Sequence, residues 1–337
     1  MTCTAHQRFD ARLPTHPLNQ ATQLNTLAIV IPAFKAEFLD RALASLHDND
    51  LERCRIYIAD DGSPQPIAPI VDRWRQRLSL HYQRFDENLG SSSLVAHWNR
   101  SVRLSHEPWV WLPGDDDEVE SGCVQAVLSR IDADARGDAA PDLYRFNVVQ
   151  IDANSAITQV LPTYPPVLSA SAFVRHRLAG TLSSFAPEYV FRRAAWDAIG
   201  GFVDFPLAWC SDDATWALLG GAGGIQTVIG PRVRWRYSGL NISSHSAVHA
   251  VRKAEAATLF IGWLRTQWPR IDADKGFEAA EMKDLAANWL FDQVNVDAPA
   301  RIQRQAVLVS WRSARGWRTA WSMNMARRVY WAWRAKR

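Results

Sequence analysis

Short aliphatic runs that end in carboxylate-bearing turns, separated by stretches of helical spacing, are the feature that most constrains this chain. Residues 27–31 form one such run and stop at Pro32, after which Phe38, Leu39, Leu43 and Leu46 recur at helical spacing. Residues 56–59 form the second and lead directly into Asp60-Asp61-Gly62-Ser63-Pro64. A third predicted strand, 80–83, leads into Asp86-Glu87-Asn88-Leu89-Gly90, and a helical stretch at about 92–104 then precedes a fourth strand, 109–112. That last run opens into Pro113-Gly114-Asp115-Asp116-Asp117-Glu118, the most acidic local cluster of the chain. Strand and helix alternating in this way predict an α/β fold with a mostly parallel central sheet flanked by helices. In such sheets the carboxyl ends of the strands, where these acids stand, face ligands.

The pattern continues with a helix predicted over 119–131, a strand over 143–150 and a proline-containing loop over 161–167. The segment 162–184 is either an acceptor-facing lid or an inert connection. A strand over 188–191, a short helix over 194–199 and a turn at Gly200-Gly201-Phe202 come next. Asp212-Asp213 open a helix that runs to Leu219, with Ser211 as its expected N-cap, and a short strand covers 225–229. Beyond this the chain reads as mainly helical, over 247–268, 279–294 and one or two segments between 300 and 336. The expected organisation is an N-terminal arm, 1–25, an α/β domain, 26–245, and a helical C-terminal region, 246–337. A length of 337 residues and an apolar fraction of 47% supply a sizeable core and exclude a disordered or disulfide-stapled chain.

Charge is divided unevenly. Residues 301–337 hold ten basic residues and no acidic one, leaving 28 basic against 35 acidic residues in the first 300. An acidic body makes nucleic acid an unlikely partner for the whole protein. The basic tail, with Trp311, Trp317, Trp321, Trp331 and Trp333, suits an anionic membrane surface, packing on the body, or contact with a second copy or partner. Four scattered cysteines without a CxxC pair fit a reducing compartment and give no thiolate zinc signature. No secretory leader or membrane-spanning run is visible, so the expected location is cytoplasmic, up to the inner face of the plasma membrane.

Three adjacent carboxylates at a strand end repel one another, and a divalent cation is one natural compensation, an exposed solvated turn the other. Asp60 or Asp61 can accept from a base N–H or a ribose hydroxyl, although Asp-Gly is also an ordinary turn. Neither GxGxxG nor GxxxxGK[ST] is present, which favours a metal-held nucleoside diphosphate over a dinucleotide or P-loop ligand. For Asp212-Asp213 catalysis competes with simple helix capping. Arg232, Arg234 and Arg236 alternate and can equally line a solvent-facing strand.

The ordered series Ile29-Val30-Ile31-Pro32-Ala33-Phe34, Ile58-Ala59-Asp60-Asp61-Gly62-Ser63, Asn88-Leu89-Gly90, Leu112-Pro113-Gly114-Asp115-Asp116, Gly200-Gly201-Phe202 and Ser211-Asp212-Asp213 resembles family 2 glycosyltransferases of the GT-A fold over about 26–245. The resemblance implies inverting transfer of a sugar from a nucleoside-diphosphate sugar, UDP-sugar favoured, to a saccharide or lipid-linked saccharide in cell-surface glycan synthesis. It implies donor contacts at Pro32, Ala33, Phe34, Asp60, Asp61, Asn88, Gly90 and Asp115, with Arg234 and Arg236 near the diphosphate. Mg²⁺ or Mn²⁺ falls to Asp115 and Asp116, extended to Asp117. The catalytic base falls to Asp213 or Asp212, with Asp213 preferred. Pro113 stands where the family's acidic stretch usually begins, and Asp-Asp replaces the more frequent Glu-Asp at the base. The rival readings are a nucleotidyltransferase making an activated sugar and a non-catalytic module that binds membrane or nucleic acid through the tail.

Overall fold

The runs at 27–31, 56–59 and 109–112 become strands because both of their faces are covered, while 80–83 forms a half-exposed strand at the sheet's end. The computed structural model describes residues 25–136, 140–221, 223–239, 246–273, 279–293 and 301. In β1 (Leu27–Ala33) alternate residues enter opposite cores: Leu27, Ile29 and Ile31 go to one, Ala28 and Val30 to the other. The first core is closed by Leu39, Leu43 and Leu46 of α1 (Leu39–His47). The chain then passes through β2 (Cys54–Asp60) to α2 (Ile67–Trp74), whose Ile67, Val71 and Trp74 join the same core. After β3 (Leu80–Arg84), helix α3 (Leu94–Val102) crosses to the other face, capped by Ser93, whose Oγ accepts from the Ala96 N–H at 3.0 Å. β4 (Trp109–Trp111) and the two-residue β5 (Glu118–Val119) flank the acidic loop, and α4 (Cys123–Asp134) returns to the first face.

The second half adds β6 (Leu143–Ile151), β7 (Ile157–Val160), β8 (Val167–Leu168), α5 (Ala170–Ala179), β9 (Tyr189–Arg192), α6 (Arg193–Ala198), α7 (Ser211–Leu219) and β10 (Ile225–Arg236). The sheet order is β3-β2-β1-β4-β9-β6-β10-β5, with β7 on β6 and β8 on β10. β1, β2, β3 and β4 pair in parallel, while β9 runs antiparallel between β4 and β6. The expected mixed α/β architecture is therefore present, with a largely parallel sheet and helices on both faces. Strand order reverses beside β1, where β2 lies on one side and β4 on the other, and that is where open α/β sheets bind ligands.

Several local expectations change. The 162–184 connection contains α5, which buries Phe173, Val174 and Leu178. β10 reaches Arg236 rather than stopping at 229, because its second half pairs with both β5 and β6 after a register shift between Val228 and Val233. The helix expected from 119 starts at Cys123, since Glu118 and Val119 are drawn into the sheet. Ser211 is the first helical residue of α7, not its cap: Cys210 takes the cap position at φ 66°, and Ser211 Oγ accepts from the Phe205 N–H at 3.0 Å. C-terminal helices α8 (Ser246–Ile271) and α9 (Ala279–Gln293) pack on each other, on α7 and on α5. No helix among the described residues is long and apolar enough to cross a membrane. The basic tail at 302–337, with the segments expected to be helical there, and the arm over 1–24 lie outside the described residues.

Candidate active site

The carboxyl ends of β1, β2 and β4 are tied together by their own polar groups. Asp61 N–H donates to Ala33 O at 2.9 Å, and Ser63 Oγ donates to Phe34 O at 2.6 Å. From the other side, Asp115 Oδ2 accepts from the N–H groups of Phe34 and Lys35 at 2.7 and 2.6 Å. Pro32, Ala33, Phe34, Asp60, Asp61, Asp115 and Asp116 thus form one constellation, and the Phe34 ring is 39% exposed above it.

The two acids after β2 have different tasks. Asp60 is fully buried, and its carboxylate accepts from Ser63 N–H, Tyr82 Oη and Arg84 Nη1 at 2.8, 2.6 and 2.8 Å. Burial, then the bond to Asp60, pushes the Tyr82 hydroxyl up to about 12. Asp61 fastens the Asn88–Gly90 turn, accepting from Leu89 N–H at 3.0 Å and Gly90 N–H at 2.8 Å. Arg100 of α3 also bonds Asp61 and carries its guanidinium 3.9 Å from the Phe85 ring centroid. A Cβ at Gly90 would lie 2.6 Å from Asp61 Oδ2, so only glycine allows this approach. Asn88 Oδ1 accepts from Ser91 N–H at 3.0 Å within the same turn.

In the acidic loop the three carboxylates diverge. Lys35 Nζ is bonded to Asp116 Oδ2 and lies 3.6 Å from Asp115 Oδ1. Asp117 turns inward, where its oxygens accept from Arg236 N–H at 3.0 Å and Gly114 N–H at 3.2 Å. Burial pushes the Asp115 carboxyl up to about 6 even though Lys35 opposes it. Burial and then the Asp116 charge push Asp117 up to about 8. Burial is the first cause of both shifts, so the loop disfavours the ionised form of these two acids even with Lys35 beside them. Among the described residues, no group of three or more His, Cys, Asp or Glu side chains is arranged to hold a metal ion. Arg236 is fully buried and binds Asp116 O at 2.7 Å and the Glu118 carboxylate, while Arg234 donates to Ser155 O at 2.5 Å. Arg236 therefore braces the loop from within, while Arg234 holds the turn between β6 and β7.

Asp212 and Asp213 begin α7 in a second cluster. Arg177 of α5 grips Asp213 with two parallel bonds, Nε and Nη2 to the two carboxylate oxygens at 2.9 Å each, and donates Nη1 to Leu182 O at 3.0 Å. Burial, then the Asp213 charge, push the half-buried Asp212 up to about 7. Leu207, Ala208 and Cys210, all non-glycine, hold left-handed φ of 63°, 55° and 66° immediately before the pair; strain of this kind persists where surrounding structure enforces it. Beneath lie Glu188, pushed up to about 7 by burial, and Arg145, ion-paired to it at 2.6 Å and stacked 3.0 Å from the Tyr164 ring centroid. Among the described contacts the two clusters are linked indirectly: Phe185, three residues after Leu182, stacks on Trp235 at 4.1 Å, next to Arg236.

The acidic residues and their turns were visible in the sequence; Lys35, Arg100 and Arg177, which organise them, were not. Lys35 offered one signal, its place directly after the β1 exit. A cleft of about 490 Å³ lined by Trp109, Tyr144 and Arg192 lies by the first residue of β4, away from the acidic loop that follows the strand.

Residues 28–173, starting one residue inside β1 and ending in α5, match the family described as Glycosyl transferase family 2. This segment has a GT-A-like, family 2 glycosyltransferase fold. Among solved structures, S. aureus TarS 1-349 superposes with a TM-score of 0.59 at 15% identity, over 84% of this chain and 78% of that one. The same protein in complex with UDP-GlcNAc gives a TM-score of 0.62 at 15% identity, over 84% and 79%. The mannosyltransferase PcManGT from Pyrobaculum calidifontis, in complex with GDP-Man and Mn²⁺, gives 0.50 at 13% identity, over 91% and 80%. At these identities the likeness is one of fold. No curated protein matches the chain. The glycosyltransferase fold places its strand ends, and with them Asp60, Asp61, Asp115 and Asp116, at the switch point described above.

Proposed function

We propose that the chain transfers a sugar, with inversion, from a nucleoside-diphosphate donor to a hydroxyl acceptor. The observation that carries this reading is the convergence of the β1, β2 and β4 ends on a loop of three adjacent buried carboxylates. The complexes of similarly folded proteins with UDP-GlcNAc and GDP-Man support the donor class. The β1 exit and Phe34 would bear the nucleoside, and the Asn88–Gly90 turn, fixed by Asp61, would close beside it.

Mg²⁺ or Mn²⁺ fits the donor set here, because carboxylate oxygens suit hard cations and two protein ligands suffice when phosphates supply the others. Asp115 and Asp116 would hold it; Asp117, whose oxygens are taken by backbone N–H groups, would brace the loop. When bound, such an ion stabilises charge on the departing diphosphate. The Asp212–Asp213 pair would take the proton of the acceptor hydroxyl as its oxygen attacks the anomeric carbon. Arg177 holds Asp213 in one orientation, while burial and then the Asp213 charge give Asp212 proton affinity near neutrality. The acceptor we favour is a saccharide or its lipid-linked precursor at the inner membrane face, consistent with the basic, Trp-rich sequence of 301–337.

The test is donor binding by thermal shift and slow donor hydrolysis across UDP- and GDP-sugars with Mg²⁺ or Mn²⁺. D115A/D116A should abolish metal-dependent donor binding. D212N and D213N should keep binding and lose at least about 10²-fold in transfer. Nucleotide triphosphates consumed with release of pyrophosphate would instead establish the nucleotidyltransferase reading.

A further inference from the structure

Lys35 is tethered to the acidic loop twice. Its backbone N–H and that of Phe34 donate to Asp115 Oδ2, so the β1 exit stays on Asp115 wherever the lysine side chain goes. Its ammonium meanwhile bonds Asp116 Oδ2 and faces Asp115 Oδ1 at 3.6 Å, with the side chain 25% exposed and so open to solvent along one edge. A cation is thus already seated between the two carboxylates that would hold a divalent ion. Two cations sharing the same oxygens repel strongly at a few ångströms in a partly buried site. A lysine, unlike an arginine fork, is a point charge on a flexible stem and can leave.

We propose that Lys35 is a built-in counter-cation that competes with the divalent metal for Asp115 and Asp116, and that a nucleoside diphosphate relieves the competition by offering the ammonium a second anionic partner. This rests on the reading of the loop as a diphosphate site. It makes metal binding weak alone and stronger with nucleotide, and by linkage the nucleotide gains by the same factor.

The test is the affinity of full-length protein for Mn²⁺, read from the electron paramagnetic resonance of the free ion, alone and with UDP or GDP. K35M keeps the apolar stem and removes the charge; it should bind Mn²⁺ without nucleotide roughly tenfold or more tightly than wild type, and nucleotide should add less to it. K35R, which keeps a cation, should stay near wild type, and adding D116N to K35M should erase the gain. If wild type binds Mn²⁺ in a nucleotide-dependent way but K35M binds no better alone, this inference fails and the donor-site reading stands. If neither protein binds Mn²⁺ with or without UDP or GDP, the metal-held diphosphate itself is wrong, and the competition falls with it.

Discussion

The decisive unit at the residue scale is a carboxylate together with whatever fixes it. Asp213 is 6% exposed and engages Arg177 through both oxygens, the geometry in which arginine binds carboxylate best. R177Q should therefore leave the buried Asp213 carboxylate without its partly exposed cation, at a cost of about 2–4 kcal/mol in urea unfolding. It should also raise the proton affinity of Asp212, because Arg177 is the cation lowering it against burial and Asp213. Tyr164 and Cys210, which also face the pair, supply no positive charge, and Arg145 is held on Glu188. The acid limb of the transfer pH–rate profile should thus move to higher pH in R177Q and largely return in R177K. An unmoved limb would mean that Arg177 serves packing alone. The acids themselves were legible because a carboxylate at a strand exit or helix start has few roles. Arg177 was not, because it stands 36 positions from Asp213 and pairing at that range is set by packing.

At the level of elements, legibility followed the number of covered faces. β1, β2 and β4 are apolar on both sides and read as unbroken runs, whereas α5 was hidden behind Pro162, Pro165 and Pro166 and read as loop. Its punctuation was nonetheless present: Ser169 Oγ accepts from Ala172 N–H at 3.2 Å at one end, and Gly180 closes the other at φ 66°. β10 was underestimated because Gly230 and Pro231 interrupt it, and the sheet resumes pairing at Val233. Turns that join elements obey tighter rules than the elements. G90A would drive a methyl against the Asp61 carboxylate at 2.6 Å and should cost about 1–3 kcal/mol while weakening donor binding, since the Asn88–Gly90 turn must lift. G122A is the control: no atom lies within 4 Å of its Cβ position, so only its φ of 89° opposes the change, and about 1–2 kcal/mol should be lost with donor binding intact. Isothermal titration with UDP or GDP distinguishes the two.

For the molecule as a whole, the sheet divides two cores, and the acids at its edge are buried without full compensation. The second core contains Phe260 of α8 and Leu290 of α9 together with Trp216 of α7, so the C-terminal helices help to seat the helix that bears Asp212 and Asp213. Burial of this kind has a measurable cost. Glu188 and Asp212 are pushed up to about 7 and Asp117 to about 8, while the same groups titrate near 4 in the unfolded chain. Between those values the native state binds more protons, so stability conferred by the protonated forms is fully present below about pH 4 and is lost as pH rises through 7 and 8. His97, lowered to about 4 by burial, and His176, also lowered by burial, act in the opposite direction. They are largely neutral in both states once pH exceeds about 7, so the carboxyl groups dominate above that point. Metal-free protein should consequently lose on the order of 1–3 kcal/mol between pH 6.5 and 8.5, seen as a falling Tm in a thermal-shift series. E188Q should flatten part of that slope, because a glutamine at 188 does not ionise, and a slope that E188Q leaves intact would place the linked protons on the site acids instead. Adding Mn²⁺ with UDP or GDP should flatten the remainder if the donor-site reading is right, since a bound cation favours the ionised carboxylates that the empty loop disfavours.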